Sequence, residues 1–319
     1  MLNVDADGVR HRTPWPALID AIAAELRADR TEAPERHVHP LPLPGGETGS
    51  LLLMPSWVVG ELIVVKAVTY VPTNAGTEIP TISAAVLVFD GSTGHLVAAL
   101  DGDELTVRRT AATSALAARY LARSDASRLL VVGTGQLAPN LALAHAQVRP
   151  IEAVTVWGRN PTRAATTASS LRRQGLAAEP TDELETAVAA ADIVTCATGS
   201  TEALVLGRWL RPGTHLDLVG SFRPDMREAD DDAITGATLF VDTVAGATLG
   251  GDLAQPMAAG LVTGADIAAD LRALVAGDHP GRTGDDEITV FKSAGSALAD
   301  LAAARLAGGG GGGGAEPAR

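Results

Sequence analysis

Only two of the 25 basic side chains in this chain of 319 residues are lysines, Lys66 and Lys292; the others are arginines. An overall arginine bias can be a genomic preference. Against that background each retained lysine is a candidate for chemistry that a guanidinium cannot do, because an ammonium shifts its pKa readily and can give up a proton. Lys66 stands between Val65 and Ala67 in an apolar run. An ammonium taken out of water without a partner is costly, so this one faces a polar cavity or an anion, unless it guards a sheet edge against aggregation. Arg109 lies in Val107-Arg108-Arg109-Thr110-Ala111-Ala112-Thr113-Ser114-Ala115. The small residues there let a ligand or another backbone approach, and one of the paired arginines could turn inward to clamp a carboxylate or stay in a surface ion pair.

A second constellation comes after Leu129-Leu130-Val131-Val132, a run too short for a helix and apolar enough for a buried parallel strand. It reads Gly133-Thr134-Gly135-Gln136-Leu137-Ala138 and continues in helix-forming residues. This is the G-x-G-x-x-G/A spacing of a dinucleotide site. The first glycine makes the turn, the second lets a pyrophosphate reach the backbone, and the small third residue lets the helix pack on the strand. The next strand, Ala153-Val154-Thr155-Val156-Trp157, ends in Gly158-Arg159-Asn160-Pro161-Thr162-Arg163. An NAD site usually carries Asp or Glu at that point, against the ribose 2′-hydroxyl. No carboxylate stands there, whereas Arg159 and Arg163 could fork around a 2′-phosphate, so NADPH is expected as the preferred cofactor, with NADH possible.

The elements that must position these residues fall into two patterns. Residues 14 to 28 have Leu18, Ile22 and Leu26 at helical spacing. A Pro-rich segment spans 34 to 45. Runs at 51–54, 62–70, 83–89 and 96–100, broken by Pro72, Pro80 and Asp90-Gly91, read as an antiparallel sheet. Asp103-Glu104 opens a long helix through Arg123. From there strands at 192–196, 215–219 and 238–242 alternate with helices, which predicts a doubly wound parallel sheet. Loops at the carboxyl ends of its strands, Ala197-Thr198-Gly199-Ser200 and Val219-Gly220-Ser221-Phe222-Arg223-Pro224, are placed where such folds hold ligands. Residues 288 to 293 form a last strand-like piece, and a helix from Ala297 to Leu306 crosses back to the first domain. The seven-glycine run together with the remaining residues to the C-terminus, 308 to 319, reads as a disordered tail.

Composition narrows the function. A net charge of −13 with 3% aromatic residues argues against nucleic acid. No apolar run reaches membrane-spanning length and the N-terminus lacks a signal-peptide pattern, so a cytoplasmic protein without a membrane partner is expected. One cysteine, Cys196, excludes an internal disulfide and a cysteine-based metal cluster; it reads as a buried small hydrophobe. The seven histidines show no metal-ligand spacing, and no metal is expected.

Together the blocks Leu51-Leu52-Leu53-Met54-Pro55, Val65-Lys66-Ala67-Val68, Leu105-Thr106-Val107-Arg108-Arg109-Thr110-Ala111-Ala112, Val132-Gly133-Thr134-Gly135, Ala191-Asp192-Ile193-Val194 and Gly220-Ser221-Phe222-Arg223-Pro224-Asp225-Met226-Arg227-Glu228 resemble the ornithine cyclodeaminase/mu-crystallin family, in the correct order and over nearly the whole chain. The resemblance implies an α/β fold: a Rossmann-type doubly wound parallel sheet, at 123–289, plus an α+β domain for substrate binding and dimerisation, at 1–122 with 290–307. It implies a homodimer, a substrate site between the two domains, Arg36 and Arg109 on the substrate carboxylate, and Lys66 as the active-site lysine. Cofactor contacts are expected from Gly133, Thr134, Gly135, Gln136, Leu137, Arg159, Asn160, Arg163, Ala197, Thr198, Val219, Ser221 and Lys292.

One departure selects among activities. Cyclodeaminases of this family carry aspartate in a G-x-D-x-P pattern, and here Phe222 takes its place. The loop, and Phe291-Lys292-Ser293-Ala294-Gly295, resemble the family's cyclic ketimine reductases, and an apolar ring at Phe222 suits a cyclic imine. The expected activity is NADPH-dependent reduction of Δ1-pyrroline-2-carboxylate or Δ1-piperideine-2-carboxylate to L-proline or L-pipecolate. The alternatives are alanine dehydrogenase or ornithine cyclodeaminase activity on the same fold, and a mu-crystallin-like NADPH-dependent binder of a small ligand.

Overall fold

Lys66 reaches the interior because the strand that carries it alternates strictly. Leu62, Val64 and Lys66 point to the covered face of a sheet and Ile63, Val65 and Ala67 to the other. The structure, a computed structural model, describes residues 1–74 and 77–309. The chain divides into two units, Met1–Arg109 with the segment from Ala297 onward, and Thr110–Ser296.

The first unit holds β1 (Leu2–Val4), β2 (His37–Pro42), β3 (Thr48–Val58), β4 (Leu62–Tyr70), β5 (Ile82–Asp90) and β6 (Leu96–Asp101), in the sheet order β1-β6-β5-β4-β3-β2. Strands β2 to β6 pair antiparallel and β1 joins β6 in parallel. β2 lies within the Pro-rich segment that gives no strand signal. Pro40 and Pro42 are tolerated because β2 is the outermost strand, where a missing N–H breaks no ladder on its free side. Two N-terminal helices, α1 (Ala6–Arg12) and α2 (Trp15–Ala28), bring Val9, Leu18, Ile19, Ile22 and Leu26 into the core.

A long helix, α3 (Gly102–Leu121), carries the chain from the first unit into the second. The second unit is an eight-stranded parallel sheet of β7 (Arg128–Val132), β8 (Ala153–Trp157), β9 (Ala178–Thr181), β10 (Ile193–Cys196), β11 (His215–Leu218), β12 (Thr238–Val241), β13 (Ile267–Asp270) and β14 (Thr289–Lys292), in the order β13-β12-β14-β11-β10-β7-β8-β9. Between them run α4 (Leu137–His145), α5 (Pro161–Arg173), α6 (Leu184–Ala190), α7 (Asp231–Thr235), α8 (Val244–Ala247), α9 (Gly251–Ala258) and α10 (Leu271–Ala276). Leu129 and Val131 of β7 join the cluster under α4 and α5, while Leu130 and Val132 join the one on the opposite face. Both faces are covered, so the strand is apolar from Leu129 to Val132.

The last strand corrects the expected division. Residues 290 to 292 belong to β14, in the middle of the parallel sheet between β11 and β12, and the chain returns to the first unit at Ala297; at the other end the division falls after Arg109 instead of after residue 122. The final helix, α11 (Ala297–Gly308), packs on β3, β4, β5, β6 and α2. Gly308, placed in the expected tail, closes this helix, and residues 310 to 319 of that tail lie outside the described residues.

The turn out of β14 hangs on Asp242, which is buried. Its Oδ2 accepts hydrogen bonds from Ser293 Oγ at 3.1 Å, Ala294 N at 3.0 Å and Gly295 N at 2.7 Å. Asp242→Ala removes the acceptor shared by these donors and should cost about 2–4 kcal/mol, read as a lower urea midpoint at unchanged m-value. Asp242→Asn, which keeps one acceptor oxygen, should recover roughly half of it. A midpoint unaffected by the alanine change would show that the turn holds without its carboxylate.

Candidate active site

The turn after β7 is shaped by close approach. Gly133 has φ +129°, and a Cβ there would lie 2.4 Å from the carbonyl oxygen of Ala197, at the end of β10. Its N–H donates to Trp157 O at 2.9 Å, which ties the turn to the end of β8. Gly135 is the opposite case: a Cβ added there meets no protein atom within 4 Å, so the space in front of it is open. Ala138, fully buried, seats α4 on the sheet. A tight first glycine, an open second one and a small packed third residue are the arrangement that admits a pyrophosphate to the backbone.

The open space is a cavity of about 310 Å³ at the carboxyl ends of β7, β8 and β10. Gly133, Thr134 and Gly135 form one wall. Trp157, Gly158, Arg159, Asn160 and Arg163 form the second, and Ala197, Thr198, Gly199 and Leu204 the third. Asn160 caps α5, its Oδ1 accepting from Arg163 N at 3.2 Å, and Pro161 presets the first turn. Arg159 and Arg163 are exposed at this rim, and neither guanidinium has a carboxylate partner among the described residues. The chain's own groups thus fit a dinucleotide, with two cations beside the second strand's end.

Other residues expected at the nucleotide do not line this cavity. Gln136 is exposed just ahead of α4, and Leu137, half-buried, begins that helix; neither lines the cavity. Val219 and Ser221 are buried after β11, and Ser221 Oγ donates to Met226 O at 2.9 Å. Lys292 has no exposed surface: its Nζ lies 3.2 Å from Asp252 Oδ2 and donates to Leu218 O at 3.3 Å. This ammonium is the counter-charge of Asp252 inside the second unit.

In the first unit the structure adds a residue that the sequence gives no role. Asp300, buried in α11, receives Lys66 Nζ at 2.9 Å on Oδ1 and 2.7 Å on Oδ2, and Arg109 Nε stands 2.8 Å from Oδ1. Burial pushes the Asp300 carboxyl up, but Arg109 and Lys66 outweigh it and hold it below its ordinary value. Burial, then the Arg109 charge, bring Lys66 down to about 8 against the pull of Asp300, and Arg36 adds to the lowering. Two buried cations thus meet on one buried carboxylate. Arg108, its neighbour in sequence, goes the other way, over the Trp15 ring at 4.0 Å, with its Nε donating to Thr13 Oγ1 at 2.8 Å. Arg36 is half-buried and Phe222 is 46% exposed. The one signal for Asp300 is its type: a lone acid in Ala297-Leu298-Ala299-Asp300-Leu301-Ala302-Ala303-Ala304, all of them buried.

A doubly wound sheet with this cavity has the form of the dinucleotide-binding domain of nicotinamide-dependent oxidoreductases. The sequence pattern of the ornithine cyclodeaminase/mu-crystallin family matches residues 6–307, and the chain belongs to that family. It is 41% identical over 302 residues to a Δ1-pyrroline-2-carboxylate reductase of Paracoccus denitrificans, covering 93% of this chain and 92% of that protein. Among solved structures, a Δ1-pyrroline-2-carboxylate reductase of Thermococcus litoralis, in complex with NADH and L-proline, superposes with TM-score 0.92 at 31% identity, over 97% of both chains. An archaeal alanine dehydrogenase dimer with bound NAD gives TM-score 0.89 at 26% identity, over 97% of this chain and 95% of that one.

The two glycines should separate fold from binding. Gly133→Ala forces an L-residue to positive φ and a methyl against Ala197 O, and should lower both the melting temperature and nucleotide affinity. Gly135→Ala meets no protein atom, so it should melt within about 2 °C of the parent while binding reduced nicotinamide nucleotide at least about tenfold more weakly. Fluorescence titration beside a thermal melt measures both. Unchanged binding in Gly135→Ala would place the phosphates elsewhere.

Proposed function

We propose that the protein reduces a cyclic ketimine carboxylate, Δ1-pyrroline-2-carboxylate or its six-membered homologue Δ1-piperideine-2-carboxylate, to L-proline or L-pipecolate, with NADPH preferred over NADH. The observation that carries the reading is the buried Lys66–Asp300–Arg109 cluster, in a chain that also holds a dinucleotide cavity. The names of the Paracoccus and Thermococcus relatives support the substrate class. In this reading Arg109 and Arg36 hold the imine carboxylate, and Asp300 fixes Arg109 and Lys66 in place. Lys66 holds the carboxylate or keeps the imine nitrogen protonated, which raises the electrophilicity of the ring carbon. When bound, the reduced nicotinamide supplies hydride. Little further acid–base machinery is needed, since positioning and charge complementarity lower most of the barrier. We place the protein in the cytoplasm, where reduced nicotinamide nucleotides are available.

Oxidation of NADPH and NADH with each imine, and with pyruvate plus ammonia, tests the activity. Imine turnover should dominate. Ammonia-dependent turnover of pyruvate exceeding it would move the protein to the alanine dehydrogenase reading, which the archaeal likeness favours. Nucleotide binding without any turnover would make it a binder. Arg159→Ala removes a charge-assisted hydrogen bond to the 2′-phosphate, and should raise Km for NADPH about tenfold to a hundredfold while leaving NADH nearly untouched. Equal losses for both would mean that Arg159 supports the loop.

Lys66 gives a pH test. With its pKa brought down to about 8, it is charged below that pH and neutral above it. Affinity for L-proline should therefore fall about tenfold between roughly pH 7 and pH 9 in wild type, through loss of one linked proton. Lys66→Met should bind weakly and without that slope. A slope retained in Lys66→Met would assign the titration to another group.

A homodimer belongs to the same reading. On the sheet face opposite Lys66, the cross-strand row Pro55, Val65 and Leu87 lies beside Trp57, Ile63 and Phe89, all partly exposed. Apolar rows of this kind mark association surfaces, and the alanine dehydrogenase relative is a dimer. Light scattering should give twice the 32.5 kDa chain mass, and Leu87→Asp should shift it toward the monomer. A wild-type monomer would remove this part of the proposal.

A further inference from the structure

Behind the cavity wall lies a charged chain of contacts that no nucleotide contact explains. Glu228, in the stretch between β11 and α7, is fully buried and does not line the cavity. Its Oε1 accepts from Thr198 N at 2.6 Å and its Oε2 from Gly220 N at 2.6 Å. Thr198 is part of the cavity wall after β10, and Gly220 begins the loop after β11. The main-chain oxygen of Glu228 accepts from Leu204 N and Val205 N, both at 2.9 Å, and Leu204 also lines the cavity. The packing leaves no slack: a Cβ on Gly220 would lie 2.4 Å from Glu228 Oε1 and 2.2 Å from Thr198 O. Glu228 is itself held, its N–H donating to Asp252 Oδ1 at 2.7 Å, while Lys292 faces Asp252 Oδ2.

We propose that Glu228 is a positioning residue for nucleotide binding: its two carboxylate oxygens clamp the loops after β10 and β11 to one another, and so set the cavity wall at Thr198 and Leu204. The inference rests on the reading that this cavity takes a nicotinamide dinucleotide. It also explains why a lysine is kept at position 292, since Asp252 and Glu228 together bury two acids that need a cation. An amide cannot replace the carboxylate, because both oxygens receive N–H groups and the NH2 of glutamine would oppose one of them.

Charge on Glu228 then matters. Burial, followed by the Asp252 charge, pushes its carboxyl up to about 7, with Lys292 pulling it back. The titratable groups around it are Asp252 on α9, Lys292 on β14 and the Cys196 thiol on β10, which burial and Glu228 push up and so keep neutral. A raised carboxyl is ionised above its pKa and protonated below it, so the clamp is complete on the alkaline side and loses an acceptor on the acid side.

The test compares wild type with Glu228→Gln in the full chain, using NADH, which has no 2′-phosphate to titrate. Glu228→Gln should raise Km for NADH about tenfold or more and leave the imine Km within about twofold. Wild-type NADH affinity should fall severalfold from about pH 8 to about pH 6, and the variant should be flat. If the variant does not fold, the wild-type profile alone decides, and a flat profile overturns the proposal. Variant affinity within about twofold of wild type overturns it as well. Wild type that binds neither NADH nor NADPH sinks the underlying cofactor reading, an outcome distinct from either.

Discussion

Both lysines of this chain are buried, and the need to balance a charge where water cannot reach it dictates the neighbourhood of each. Lys66 meets Asp300, Lys292 meets Asp252, and in each case a third ionisable group shares the site, Arg109 in the first and Glu228 in the second. The two clusters differ in kind. Two cations meet on one carboxylate around Lys66, and two acids share one cation around Lys292. In the second, Glu228 also accepts two backbone N–H groups from the loops after β10 and β11. Arginine suits neither place as well, because its planar fork demands a partner of matching shape where a single compact charge is wanted.

How much of this is legible in the sequence depends on distance along the chain. The turn at Gly133 and Gly135, the arginines after β8 and the alternation around Lys66 are local, with the steric or polar reason contained within a few residues. The parallel sheet and the meander show in apolar runs and their breaks. Asp300 cannot be paired with Lys66 from sequence, since 234 residues separate them and the residues around it read as helix core. A lone lysine at the end of a strand suggests chemistry at the cofactor, and nothing near Lys292 in sequence reveals Asp252. Glu228 shares a block with Phe222, yet a single acid in a charged loop carries no sign that it will be buried; its role depends on two N–H groups, one of them 30 residues away. Strand β2 escapes for a different reason: proline is a local veto on strands that only an edge position lifts.

The place of β14 has a consequence for how the molecule is made. In the parallel sheet it separates β11 from β12, although it comes after both in the chain and is made last among the strands. Until Thr289–Lys292 emerges, β12 and β13 have no bridge to the rest of the sheet. The next element, α11, then covers the antiparallel sheet and brings Asp300 to Lys66. A nascent chain therefore holds two open edges until β14 emerges, and an uncovered sheet face around Lys66 until α11 is complete. Non-local closure of this kind is slow and exposes sticky intermediates. Both units are finished by the same stretch of about twenty residues, so a chain that stops short of it leaves both incomplete.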